Sequence, residues 1–308
     1  MRNKVAVIGG GFVGSTTAQR LAESELTDVV LVDIAEGIPQ GKSLDILEAC
    51  PIEGSSARIF GTNQMSDIAR CEIVVVTAGL PRKPGMTRED LVRDNARIIG
   101  GVADQIKQYA PEAMVIVVTN PLDIMTYLMF QKTGFAPHKV FGMAGVLDTA
   151  RYRTFISMEL GISPEDIQAM VLGGHGDEMV PLVDCTTVSG IPVRQLLSDE
   201  AITRIVDRTR KGGGEIVGLL KTGSAYYAPS AAVAQMVKAV LRDQKRLLPV
   251  SAYLTGQYGI SDAYVGVPVI LGARGVEKIV ELNLGSEDLD QLGKSAQIIR
   301  DNIGLLGI

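Results

Sequence analysis

Short runs of β-branched residues alternate with longer helix-compatible stretches through the first half of the chain. Lys4–Ile8, Val29–Asp33, Arg58–Phe60, Glu72–Thr77, Met114–Asn120 and Val140–Met143 read as strands. Ile73-Val74-Val75-Val76 has no polar position at all, so a strand there must be buried on both faces. Buried strands separated by helical stretches predict an α/β domain, a doubly wound parallel sheet with right-handed crossovers, over residues 1–145. After Asp148 the pattern changes. A helix rich in Arg and aromatics is followed by a strand-like Ala169–Leu172 and by helix-compatible Asp199–Leu220 and Ser230–Leu241. A β-rich Ser251–Leu271 and a last helix from Ser286 to about Asn302 complete the chain. This half, residues 146–308, predicts an α+β domain. No Pro, Gly and Ser linker separates the halves, so they are expected to pack rigidly across a cleft.

Composition narrows the classes. The 308 residues, 46% hydrophobic and 21% charged, can bury a sizeable core. Mean hydropathy is slightly positive, +0.21, yet no stretch approaches the ~20 apolar residues that a membrane-spanning helix needs. The apolar excess is therefore expected in cores or subunit contacts, and no membrane partner is expected. A net charge of −5, with 30 scattered Lys and Arg, argues against nucleic acid. The chain runs from Met1-Arg2-Asn3-Lys4 directly into a strand without a signal-peptide pattern, so a cytoplasmic location is expected. Cys50, Cys71 and Cys185 are far apart and lack metal-ligand spacing; they are expected to be buried thiols, and no metal is expected.

Gly9-Gly10-Gly11-Phe12-Val13-Gly14 follows the first strand and opens a helix, which is the context that makes G-x-G-x-x-G a dinucleotide fingerprint and the sheet a Rossmann fold. Gly9 suits the tight turn, Gly11 the approach of a pyrophosphate and Gly14 close helix packing, with phosphate charge at the helix N-terminus. Asp33, at the end of the second strand, suits the adenosine ribose hydroxyls. It would repel a 2′-phosphate, and Ile34-Ala35-Glu36 supplies no Arg, so NAD is the expected cofactor. An empty glycine turn and a capping Asp are the competing readings. Ala78-Gly79 and Val118-Thr119-Asn120 end two further strands and converge on the same crevice.

The chain has two histidines. His138 lies in a polar connection and reads as a surface residue. His175, in Leu172-Gly173-Gly174-His175-Gly176-Asp177, is flanked by glycines that would let a substrate approach, and histidine titrates where an alcohol/ketone pair needs a proton carrier. A structural histidine is the alternative. Asp148 and Arg151 are three apart on a helix and can enter one pocket, Asp148 to orient the histidine and Arg151 to clamp a carboxylate. An ordinary capping Asp with a surface ion pair is the bland reading. Leu80-Pro81-Arg82-Lys83-Pro84-Gly85-Met86-Thr87-Arg88 is either a cationic lid or a solvated basic loop.

Taken together, Gly9–Gly14, Ala78–Arg88, Val118–Asp123, Leu147–Arg151 and Gly173–Asp177 resemble, in order, the motifs of malate dehydrogenases of the lactate-dehydrogenase-like type. The resemblance runs from Val5 to about the C-terminal helix. It implies that His175 accepts the proton during malate oxidation, assisted by Asp148, and that Arg151 binds the carboxylate next to the reacting carbon. Arg88 would polarise the carbonyl oxygen, and Asn120 would bind the same oxygen or the nicotinamide ribose, with Asn95 and Val118 at the cofactor site. Related lactate dehydrogenases usually carry glutamine at the position of Arg82. A second buried carboxylate needs a cation, so Arg82 points to malate and oxaloacetate. A lactate dehydrogenase is the alternative, and a non-catalytic NAD sensor the reading of a different class. Gly10 stands where alanine is frequent. Small-residue stretches around Lys211–Gly214 and Ser230–Ala234 suit either a subunit interface or an internal core. The resemblance implies a homo-oligomer, a tetramer rather than a dimer.

Overall fold

The computed structural model describes residues 2–81 and 86–306. Six parallel strands form where apolar runs were read: β1 (Lys4–Ile8), β2 (Asp28–Val32), β3 (Ile59–Thr62), β4 (Ile73–Val76), β5 (Met114–Val117) and β6 (Val140–Gly142). Their order, β3-β2-β1-β4-β5-β6, reverses direction between β1 and β4, which opens a crevice at the carboxyl ends of those strands. β5 stops before the expected Asn120. The Thr119 hydroxyl instead donates across to Ala78 O (2.7 Å), and the chain leaves the sheet.

Helices α1 (Phe12–Glu23), α2 (Ile38–Ala49), α3 (Arg88–Tyr109) and α4 (Leu122–Thr133) cross between these strands. Thr87 caps α3 in a reciprocal box: its hydroxyl accepts from Asp90 N (3.0 Å) and Asp90 Oδ2 accepts from Thr87 N (3.1 Å). That fixes Arg88 as the first helical residue.

The second half contributes α5 (Gly145–Leu160), α6 (Asp199–Leu220), α7 (Tyr227–Leu241) and α8 (Ser286–Ile303). The β-rich segment is a long antiparallel hairpin, β7 (Arg246–Thr255) and β8 (Ser261–Gly272), followed by β9 (Gly275–Ile279). β7 pairs with β6 through Ser251 and Gly142, so the hairpin extends the first-half sheet to nine strands, β9-β8-β7-β6-β5-β4-β1-β2-β3. A Cβ at Gly142 would lie 2.9 Å from Ser251 Cβ, so this junction needs a glycine. The predicted strand at Ala169–Leu172 shortens to Val171–Leu172, and a separate short strand, Ile167–Gln168, lies in another small sheet.

One continuous hydrophobic core joins the halves, with Val5, Leu31 and Val75 in the same cluster as Met236, Val250 and Leu271. A second lies on the other face of the sheet, around Val74, Ile99 and Met125. A third, around Tyr152, Ile167 and Ile205, lies beneath the small three-stranded sheet. The small-residue stretch of α7 packs inside the chain against α1, where Arg20 Nε donates to Ser230 Oγ (3.1 Å). Cys50 and Cys71 are buried as expected, and burial pushes the Cys71 thiol up to about 11. Cys185 is exposed, contrary to expectation. Its neighbour Thr186 turns inward instead, its hydroxyl on Leu182 O (2.7 Å). Among the described residues no helix is long and apolar enough to cross a membrane, and no cluster of metal-ligating side chains occurs.

Candidate active site

The glycine loop sits at the mouth of the crevice. Gly9 has φ +109°, and a Cβ there would lie 2.6 Å from Thr77 Oγ1; a Cβ on Gly14 would lie 1.8 Å from Gly9 O. Only glycine lets β1, the loop and α1 approach this closely. The Cβ position of Gly11 meets nothing within 4 Å. The N-terminus of α1 has no side-chain cap and no acid in its first turn, so open backbone and positive helix end together fit a pyrophosphate. Asp33 stands one residue beyond β2, its Oδ2 accepting from Gly10 N (2.5 Å) and its Oδ1 from Ala35 N (2.8 Å). A Cβ at Gly10 would crowd Asp33 at 3.2 Å, which gives the departure from alanine a local consequence. Phe12 is exposed and stacks on Tyr226 at 5.1 Å. Lys42, on α2, donates to Gly10 O (2.7 Å) and lies over the Phe12 ring. Nothing in the sequence around Lys42 signals that contact, because it joins separate helices.

The other strand ends are tied to one another. A Cβ on Gly79 would meet Thr119 Cγ2 at 2.5 Å. The Asn95 amide is fully buried: Oδ1 accepts from Leu80 N (2.7 Å), and Nδ2 donates to Leu80 O (3.1 Å) and Asn120 O (2.6 Å). Asn95 and Thr119 therefore spend their polar atoms holding the loops that carry Ala78, Gly79 and Asn120. A cavity of about 420 Å³ opens between the halves, lined by Val13, Val118, Asn120, Arg151, His175 and Arg210 among others. An open depression of about 530 Å³ beside it, toward Asp177 and α6, contains paired charges such as Arg208 with Glu215 (2.8 Å).

Asp148 and Arg151 project from the first turns of α5, as their spacing requires. Asp148 Oδ2 lies 2.8 Å from His175 Nδ1, and its Oδ1 accepts from Arg151 Nη1 at 3.2 Å. Burial works against the charged imidazole of His175, and Arg151 adds to that, but the charge and hydrogen bond of Asp148 outweigh both and raise its pKa above the ordinary 6.5. With Nδ1–H on Asp148, the other ring nitrogen is left for the cavity. The Arg151 Nε–H is buried with no partner among the described residues, a donor suited to an anion. Gly212 and Gly213 of α6 make room for that guanidinium: a Cβ at Gly212 would be 3.3 Å from Arg151 Cδ, and one at Gly213 3.5 Å from Nη2. The small-residue stretch at Lys211–Gly214 thus serves the pocket.

Arg82 lies outside the described residues, as does the side chain of Arg88. His138 is exposed in the turn before β6. Two further groups lie near His175: Arg210, which no motif includes, and Asp123, which ends the Val118–Asp123 segment without an expected role. Arg210 donates through Nε to Met179 O (3.3 Å). Asp123, in the first turn of α4, bonds the backbone of His175.

Comparison with known proteins covers both halves of the chain. Residues 3–142 match the model of the lactate/malate dehydrogenase NAD binding domain, and residues 145–306 that of the family's alpha/beta C-terminal domain. A malate dehydrogenase of Roseiflexus sp. (strain RS-1) is 60% identical over 306 residues, 99% of each chain. Among solved structures, a malate dehydrogenase of Cryptosporidium parvum superposes with a TM-score of 0.98 at 46% identity, covering 100% of this chain and 99% of that one. A lactate dehydrogenase of the same organism, complexed with lactic acid and nicotinamide adenine dinucleotide, superposes with a TM-score of 0.96 at 43% identity, covering 100% and 98%.

Proposed function

The chain belongs to the lactate/malate dehydrogenase family, and from that premise we propose that it interconverts (S)-malate and oxaloacetate with His175 as the proton acceptor. It is an NAD-dependent oxidoreductase. The observation that carries the reading is the Asp148–His175 pair at 2.8 Å, with His175 and Arg151 lining one cavity.

NAD, when bound, supplies the acceptor for the hydride leaving the substrate carbon. Gly9, Gly10, Gly11, Phe12, Val13, Gly14, Asp33, Ala78, Gly79, Asn95, Val118, Thr119 and Asn120 make up its proposed site, the open backbone at Gly11 supporting a phosphate there. His175 takes the hydroxyl proton of malate on the ring nitrogen facing the cavity. Asp148 orients the ring and stabilises the imidazolium so formed. Arg151 holds the carboxylate next to the reacting carbon, and Asn120 and Arg88 bind the oxygen that becomes the carbonyl. Arg82 pairs with the second carboxylate, the feature that favours malate over lactate; the backbone alone does not discriminate, since both types superpose closely.

The same reading takes residues 1–145 as the NAD-binding domain and 146–308 as the substrate domain. It places the protein in the cytoplasm, in the tricarboxylic acid cycle, as a homotetramer. The exposed Leu44, Leu47 and Ile52, on α2 and just beyond it, support burial against another subunit.

Loss of NADH absorbance with oxaloacetate, then with pyruvate, tests the substrate. Oxaloacetate is expected to be strongly preferred, and Arg82→Gln is expected to lower the ratio of the two kcat/KM values by about 10²-fold or more. An unchanged ratio would remove Arg82 from the specificity site. Preference for pyruvate would favour lactate, and no turnover a sensor.

A further inference from the structure

Asp123 is a buried acid for which the proton transfer above has no use. It sits in the first turn of α4 among Leu122, Ile124 and Met125, where an apolar side chain would fill space without burying a carboxyl. Its two oxygens are both engaged. Oδ2 accepts the backbone N–H of His175 (3.0 Å), and Oδ1 accepts the Ser251 hydroxyl from β7 (2.6 Å). Burial holds the Asp123 carboxyl above the usual carboxylate range, while those two hydrogen bonds pull the other way.

Within the segment it holds, Gly176 N donates to Gly174 O (2.9 Å) across His175 and Met179 N to Gly176 O (3.2 Å), and neither bond ties His175 to the rest of the fold. Gly173, at φ +83°, Gly174 and Gly176 surround His175 and leave the loop conformationally free. Packing is close at Gly173 and Gly174, where a Cβ would lie 3.0 Å from Glu178 O and 3.2 Å from Ile299 Cδ1, but a cavity of about 40 Å³ lined by Asp123, Gly174, His175 and Ser295 leaves room on the side of Asp123. The loop is pinned to the rest of the fold by hydrogen bonds to three separate elements. Gly173 exchanges backbone bonds with Gly266 on β8 (2.8 and 3.1 Å), Gly174 N donates to Ser295 Oγ on α8 (2.8 Å), and His175 N donates to Asp123. The Asp123 bond is the pin on the residue that carries the imidazole.

We propose that Asp123 is a positioning residue for His175: held by Ser251, its carboxylate fixes the His175 backbone so that Nδ1 meets Asp148 and the opposite nitrogen faces the substrate. This rests on the reading of His175 as proton acceptor. The charged groups around His175 are Asp148 and Arg151 from α5, Asp123 from α4, Arg210 from α6, and Asp177 and Glu178 in its own loop; α8 presents the uncharged Ser295. Of these, Asp148 makes the direct contact with the ring.

The test uses the full chain with Asp123→Ala, Asp123→Asn and Ser251→Ala. Turnover, NADH affinity by fluorescence, and the pH titration of the His175 ring by NMR are measured, with the exposed His138 as the reference histidine. Asp123→Ala is expected to lower kcat by about tenfold or more while NADH affinity stays within about threefold, and to move the His175 titration to lower pH than Asp123→Asn does, since both remove the Asp123 charge and only the Ala variant loosens the Asp148 contact. Asp123→Asn keeps an oxygen for the His175 N–H and an N–H₂ for Ser251, and is expected to restore kcat to within about threefold of the parent. Ser251→Ala is expected to fall between. Parental kcat in Asp123→Ala, a His175 titration no lower in Asp123→Ala than in Asp123→Asn, or an Asn variant as impaired as the Ala variant would each overturn the proposal. Should Asp123→Ala not fold, an unmoved titration in Ser251→Ala overturns it. If the parent reduces no 2-oxo acid, the functional reading fails, and the difference between the His175 titrations of Asp123→Ala and Asp123→Asn still decides on Asp123.

Discussion

His175 stands between influences of opposite sign. Burial and Arg151 favour the neutral ring; Asp148, with Asp123 behind it, favours the imidazolium, and the second pair prevails. With His175 as the proposed proton acceptor, malate oxidation needs the neutral ring and oxaloacetate reduction the charged one. Oxidation should therefore rise with pH along a limb lying above 6.5, the ordinary histidine value, while reduction declines along the same limb. Initial rates in both directions from pH 5.5 to 9.5 measure it; a limb at or below the ordinary value would mean that Asp148 does not govern the ring. His175→Asn should remove the limb and lower turnover by about 10³-fold or more, leaving NADH binding intact. The meeting of these side chains was legible residue by residue. His175, Asp148 and Arg151 announce themselves through local context, a glycine-flanked histidine and an acid–base pair on one helix face. Asp123, Ser251 and Lys42 do not, because their partners lie on other elements and nothing in the flanking sequence encodes the meeting.

At the scale of elements, glycine placement decides what can approach what. Three consecutive glycines inside α6 each cost about 1 kcal/mol of helix stability relative to alanine. The structure retains them where Gly212 and Gly213 border the Arg151 guanidinium. Gly14 is more stringent, since an added Cβ would overlap Gly9 O at 1.8 Å. Gly14→Ala should push α1 from β1, destabilise the fold by about 1–3 kcal/mol and weaken NADH binding by about tenfold or more. Thermal unfolding and NADH titration measure these effects, and unchanged values in both would show that the loop yields without cost. Strand positions in the first half were readable because strands buried on both faces leave uninterrupted apolar runs. Their ends were not, since β5 ends where Thr119 turns its hydroxyl to Ala78 O, a contact between neighbouring loops. The α3 capping box and the shortening of the expected Ala169–Leu172 to Val171–Leu172, with a separate strand at Ile167–Gln168 in another small sheet, likewise depend on hydrogen bonds that periodicity does not report.

Across the whole molecule, the second half adds its hairpin to the edge of the first-half sheet. Because β7 pairs with β6 and one core cluster takes residues from both halves, neither half can open without exposing core of the other. The full chain should therefore unfold in one cooperative transition, with calorimetric and van't Hoff enthalpies in agreement; two resolved transitions would show that the halves are energetically independent. The sequence by itself determined the α/β class, the dinucleotide fingerprint, the cofactor and the acid–base pair, because each is written in local periodicity or in motifs a few residues long. Tertiary structure alone decided that the β-rich segment would join the existing sheet, that Cys185 would face outward, and that the Gly212–Gly213 pair would border the pocket. It also placed Asp123 behind the histidine. These outcomes depend on which surfaces meet across long chain separations, and meeting is governed by packing and by the pairing of buried polar groups, which no local pattern contains.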